Sequence, residues 1–199
     1  MPILLLFIYS AFAINLLLQC GLGIKGAVES NIDNGGRSDP LDIKTLVKSG
    51  VIFFTVIIIW VFFSKVLFLL LPGIYLYILL FPVSFIVYDA MEYIVFRYVI
   101  KIENKNERLI NFYGGITAVA VFLCMNMANN FLETVVLSLG FTTGIFFVKL
   151  LIREIRRRAA LEAVPVFLRG KPLVLITMGM LSLVFTTASL LLFGMIGIR

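Results

Sequence analysis

Six stretches of this 199-residue chain carry no charged side chain: residues 1–24, 49–64, 66–88, 109–132, 134–148 and 172–198. A charge is costly in hydrocarbon, so such intervals mark where a chain can enter a bilayer. Four of them are 23–27 residues long and two are 15–16, against the roughly 17–25 that a spanning helix needs. The two short ones are lengthened by Lys48 and Lys149, whose apolar stems let the ammonium groups reach the membrane edge. Composition agrees. The chain is 61% apolar and 14% charged, where a soluble domain has about 45–50% and about 25%. A core of this size cannot hide the excess. The expectation is an all-α integral membrane protein, with six transmembrane helices in a single membrane domain over residues 1–199. Soluble enzymes, nucleic-acid modules and disordered chains are excluded.

The first interval contains Ala11-Phe12-Ala13, which has the form of a signal cleavage site. It lacks a basic leader, however, and its apolar run continues through Leu18. A retained helix is expected. Orientation follows from the basic residues. Fifteen of the 17 lie in the loops after spans one, three and five, or at the ends of those spans; Lys65 and Arg199 lie on the other side. The positive-inside rule makes the fifteen-residue side cytoplasmic and puts both termini outside. Interval lengths read long, short, long, and then the same again. Three spans per half is an odd number, so two equivalent halves would sit upside down to each other. The expected division is a first repeat over 1–100, with a polar cytoplasmic loop at 25–48, and a second repeat over 109–199.

Chemistry is limited by what is missing. There is no His, hence no imidazole base, zinc site or haem ligand built on one. Two Cys, Cys20 and Cys124, cannot complete a four-thiolate site within one chain. Each half opens with a glycine pair, Gly21 and Gly23 in the first, Gly114 and Gly115 in the second. Such pairs either break a helix at membrane depth or let helices pack closely. Spacing alone leaves both uses open, and close packing is the plainer one. Glu92, where span three meets the cytoplasm, is a candidate ion or proton site; solvation or pairing with Arg97 is the plain alternative. Glu133 sits at a helix start, where a carboxylate is favoured by the helix dipole. The loop at 29–42 holds no phosphate-binding G-x-x-x-x-G-K-[ST] pattern. The run Arg153-Glu154-Ile155-Arg156-Arg157-Arg158 is a basic juxtamembrane helix end suited to anionic headgroups.

The last third carries three consecutive motifs. They are Ile152-Arg153-Glu154, Val164-Pro165-Val166-Phe167-Leu168-Arg169-Gly170, and Leu175-Ile176-Thr177-Met178-Gly179-Met180-Leu181-Ser182-Leu183. Together they resemble the membrane subunits of Rnf and Nqr complexes, in particular the RnfA and NqrE type, which reads I-R-E, V-P-x-P-x-R-G and L-I-T-x-G-L-M-S-L. Asn130-Phe131-Leu132 resembles the N-F-L that opens the fifth span of that type, and Glu92 matches a Glu near the end of its third. The likeness covers residues 129–190 and is slight in the first 120.

The resemblance implies two inverted three-helix halves with helices one and four broken in mid-membrane, which here means at the glycine pairs Gly21 and Gly23, and Gly114 and Gly115. It also implies a partner, an oppositely oriented homologous subunit, with which the family type shares a [2Fe-2S] cluster through one Cys from each break. The complexes couple electron transport to Na⁺ or H⁺ movement across the bacterial inner membrane. In this sequence the motif alignment puts Gly23 and Gly115 in the two cysteine positions. Cys20 falls three residues early and Cys124 nine late. The expectation is therefore a scaffold subunit of such a translocase, non-catalytic alone and holding no cofactor of its own, with Cys20 and Cys124 as the only thiols for a cluster. The other reading of the same features is a small secondary transporter or ion-permeation subunit, without electron transfer, that uses Glu92.

Overall fold

The structure is a computed structural model, and it describes residues 3–18, 21, 43–67, 73–95, 97, 113–161, 165 and 171–196. Among them all regular structure is helical. Helix α1, Ile3–Ile8, runs into a π-helical turn at Tyr9–Ala13. Helix α2, Ile43–Phe62, ends in a second π-helical turn at Phe63–Leu67. Then come α3, Gly73–Val95; α4, Tyr113–Met127; α5, Phe131–Leu161; and α6, Lys171–Ile196. Helix α2 thus begins six residues before its charge-free interval and takes the last part of the polar stretch 25–48.

Four of these helices, α2, α3, α5 and α6, are long and apolar enough to cross a membrane. The first and fourth spans are short apolar helices instead. With fifteen residues, α4 rises about 22 Å, and the eleven residues of α1 with its π turn about 16 Å, against a hydrocarbon core of roughly 30 Å.

Burial explains the arrangement. On α2, residues Val51, Ile52, Thr55, Val56, Ile59 and Phe63 are buried; on α5, Leu137, Phe141, Ile145, Val148 and Ile152. Steps of three and four put each set on one helix face. Those two faces pack on each other, antiparallel, with Trp60 near the end of α2 against Phe131 at the start of α5, ring centroids 6.3 Å apart. Helices α3 and α6 lie outside and each bury a thin stripe: Leu80, Ser84, Tyr88 and Glu92 on α3, and Val174, Met178, Phe185 and Ser189 on α6. Elsewhere they expose Ile78, Ile86, Leu183 and Leu191, all at 68–70%. Water would not tolerate so large an apolar surface, but lipid does.

Short segment α1, with its turn, packs on α5 and α6; α4 packs on α2, α3 and α5. Buried serine and threonine hydroxyls bond to carbonyls of their own helices. Thr55 donates to the Val51 carbonyl at 2.6 Å, Ser84 to Phe81 at 2.7 Å, Thr117 to Gly114 at 2.8 Å and Thr142 to Ser138 at 2.9 Å. In a medium without water each such group needs an internal acceptor.

Candidate functional site

The most unusual backbone lies in the first segment. The Ile14 N–H donates to the Tyr9 carbonyl at 3.0 Å, the five-residue reach of a π turn. Helical structure then stops, and residues 14–18 run on as non-helical backbone. Asn15, Leu16, Leu17 and Leu18 are nonetheless buried. Asn15 makes this possible. Its amide donates to the Ala11 carbonyl at 3.2 Å, and its side-chain oxygen accepts from the N–H groups of Leu17 and Leu18 at 3.2 and 3.4 Å. One side chain therefore serves three backbone groups that leaving the helix would strand.

The break is seated on α5 by Gly140-Phe141-Thr142-Thr143-Gly144. Two glycines four residues apart fall on one face and let another backbone come close. A methyl group on Gly144 would collide with the Ala11 carbonyl oxygen and lie 3.0 Å from Asn15 Nδ2. On Gly140 it would meet Ser10, at 2.8 Å from its Cβ, and the Phe7 carbonyl oxygen at 3.0 Å. Phe12 completes the seat, 5.9 Å from Phe147 on α5 and 5.5 Å from Phe185 on α6, ring centre to ring centre.

Neither Asn15 nor this glycine spacing was among the residues picked out from the sequence. Both left a signal there: an amide in the middle of an apolar interval, and a G-x-x-x-G pattern inside a span.

The glycine pairs behave differently from expectation. In the first segment the helix stops at Ala13, well before Gly21, because Asn15 competes with the helical backbone for its hydrogen bonds. Gly21 itself has φ 64°, in the left-handed region that glycine adopts without strain. Gly23 and Cys20 lie outside the described residues. In the second half, the expected break at Gly114 and Gly115 is corrected: both lie in the first turn of α4, which runs unbroken to Met127. Gly114 is instead a contact point, because the Phe85 ring of α3 lies where its Cβ would be.

Glu92 is buried, its side chain 11% exposed, and its Oε1 stands 3.9 Å from Lys48 Nζ, which is 24% exposed. The pair ties α3 to the N-terminal end of α2. Arg97 turns elsewhere: its guanidinium donates to the Tyr93 hydroxyl and lies 5.5 Å from that ring's centre. Asp89, one turn before Tyr93, is exposed. Glu133 accepts from the Asn129 N–H at 2.8 Å and so secures the start of α5, as a helix-end carboxylate should.

Cys124 is fully buried in the apolar core, in one cluster with Ile116, Ala120, Val121 and Leu137. Among the described residues no group of three His, Cys, Asp or Glu side chains comes together. Gly115 has no side chain, and Cys124 is the one thiol on α4. Comparison of the sequence with protein-family models and with curated proteins finds no match.

Proposed function

We propose that the chain is a scaffold subunit of an Rnf/Nqr-type, ion-translocating electron-transport complex. It would sit in the bacterial inner membrane as six segments in two inverted halves, with both termini outside. The observation that carries this reading is the way each half's short opening helix packs on the other half. Exchanging the first three segments for the last three turns the α1–α5 contact into α4–α2, α1–α6 into α4–α3, and α2–α3 into α5–α6. It leaves α2–α5 unchanged, and all of these pairs touch. The α4–α5 contact stands outside the scheme; those two helices are joined by only three residues, Ala128–Asn130. Among the described residues the first helix of each half is the short one, the second is central, and the third faces lipid around most of its girth. This supports two-fold, inverted construction. The motif likeness over residues 129–190 supports the family.

The test is purification of the full chain from its native membrane in mild detergent. An oppositely oriented homologous subunit and flavin-bearing partners are expected to accompany it. Recovery without any such partner would count against the assignment. A [2Fe-2S] EPR signal that disappears in Cys20→Ala would overturn the scaffold role.

The burial of Glu92 gives the transporter reading its one specific support. The scaffold reading instead makes the Lys48–Glu92 pair a tie between helices. Glu92→Gln and Lys48→Met should then each destabilise the protein, while the double variant recovers a coupling of roughly 1–3 kcal/mol in detergent unfolding. Loss of ion flux into proteoliposomes on Glu92→Gln, with stability unchanged, would favour the transporter.

A further inference from the structure

Helix α5 is 31 residues long, about 46 Å at 1.5 Å per residue. Its apolar stretch covers Phe131–Ile155, and the helix continues past it without interruption to Leu161. A rigid rod therefore leaves the membrane carrying the basic run. Successive residues turn by about 100°, so Lys149, Arg153 and Arg157, four apart, lie within about 80° of one another. Lys149 and Arg153 are half-buried and Arg157 is exposed, so the stripe climbs from the bundle into the interface. Arg158 falls outside the stripe and holds Glu154, Nε to Oε1 3.1 Å. That takes up the only acid between Lys149 and Leu161. Neighbouring α6 packs on α5 and exposes Leu175 and Ile176 near its own start. The result is a column of cations at the end of an apolar helix, the order of a headgroup phosphate above its acyl chains.

We infer that this end of α5 binds anionic phospholipid, with Arg153 and Arg157 holding the phosphate. The inference stands apart from the redox assignment and needs only that the chain spans a bilayer. Arginine suits the task because its fork matches phosphate oxygens, and a polybasic helix end gains about 1 kcal/mol per basic residue near an anionic surface.

The experiment uses the full-length protein, delipidated in detergent and transferred into vesicles of phosphatidylcholine or of an equimolar mixture with phosphatidylglycerol. Retained lipid is counted by native mass spectrometry and thermal unfolding is followed in parallel. Phosphatidylglycerol is expected to be retained in preference to phosphatidylcholine and to raise the unfolding temperature, less so at high salt. Arg153→Gln with Arg157→Gln should weaken its retention on the order of 30-fold while leaving unfolding in pure phosphatidylcholine unchanged. Equal retention of the two lipids by the wild-type protein would overturn the proposal. So would undiminished preference in the double variant. Soluble glycerol phosphate stabilising the protein as well as the lipid does would also overturn it, and would assign the site to a free phosphate ligand. A double variant that unfolds early even in phosphatidylcholine calls for the single change Arg157→Gln. Its exposed side chain leaves packing intact, and its retention preference must then fall or the proposal fails.

Discussion

Gly144→Leu should prevent the protein from accumulating in a folded form. Even a single added carbon at this position collides with the Ala11 carbonyl oxygen and crowds the Asn15 amide. A backbone carbonyl cannot swing aside as a side-chain tip can, so the first segment must lift off α5. Overpacking a tight site costs about 1–3 kcal/mol, and leucine here adds four carbons where none fits, so a cost of about 3 kcal/mol or more is expected. Gly144→Ala should show the same effect in smaller degree. Gly179→Ala supplies the control. It lies on α6 with open space around it, and alanine there should be neutral or stabilising by up to about 1 kcal/mol. Thermal unfolding in detergent of the three variants checks the order. Equal behaviour of Gly144→Ala and Gly179→Ala would show that the first segment is not seated on α5 as described.

Asn15→Leu should be nearly as damaging, for a different reason. It keeps the bulk and removes three hydrogen bonds, those to the Ala11 carbonyl and from the Leu17 and Leu18 N–H groups. Each stranded buried group costs about 1–3 kcal/mol, and no water is at hand to replace the lost partner. Apart from Tyr9 and Ser10 the rest of the first segment is apolar, so the variant raises total hydropathy while lowering stability. A reading of the position as ordinary membrane helix predicts the reverse. Hydrogen exchange at Leu17 and Leu18 separates the two: fast exchange in Asn15→Leu is expected, and protection equal to wild type would sink the capping role.

The long elements were legible from charge spacing alone. Hydrocarbon excludes charge whatever the tertiary contacts, so α2, α3, α5 and α6 fall on charge-free intervals. Helix α2 starts at Ile43, six residues before its charge-free interval, and Lys48 lies within the helix beside Glu92 rather than at its boundary. The broken first segment was harder. Gly21 and Gly23 drew attention through their cost to a helix, yet the backbone leaves the helix earlier, where a hydrogen-bonding side chain competes with it. Glycine in a membrane span has two uses, flexibility and closeness, and spacing along one chain does not separate them. Gly140 and Gly144 are used for closeness, and only their contact with Ser10 and Ala11 reveals it. Gly114 likewise accommodates the Phe85 ring rather than a break. Glu92 is buried, and its neighbour Lys48, 44 positions earlier in the chain, could not be read from sequence.

The seat of the first segment on α5 has a consequence for how the protein is made. The helical part of the first segment, Ile3–Ala13, packs on α5 and α6, all of them beyond residue 130. At roughly 5–20 residues per second, the ribosome needs on the order of ten seconds to supply that surface. Throughout this interval the nascent segment has too few helical residues to bridge the bilayer and carries an unsheltered amide. Its place in the membrane must therefore be completed late, after the second half has arrived, or be held open by the insertion machinery. Residues 3–18 thus settle after the later segments on which they pack.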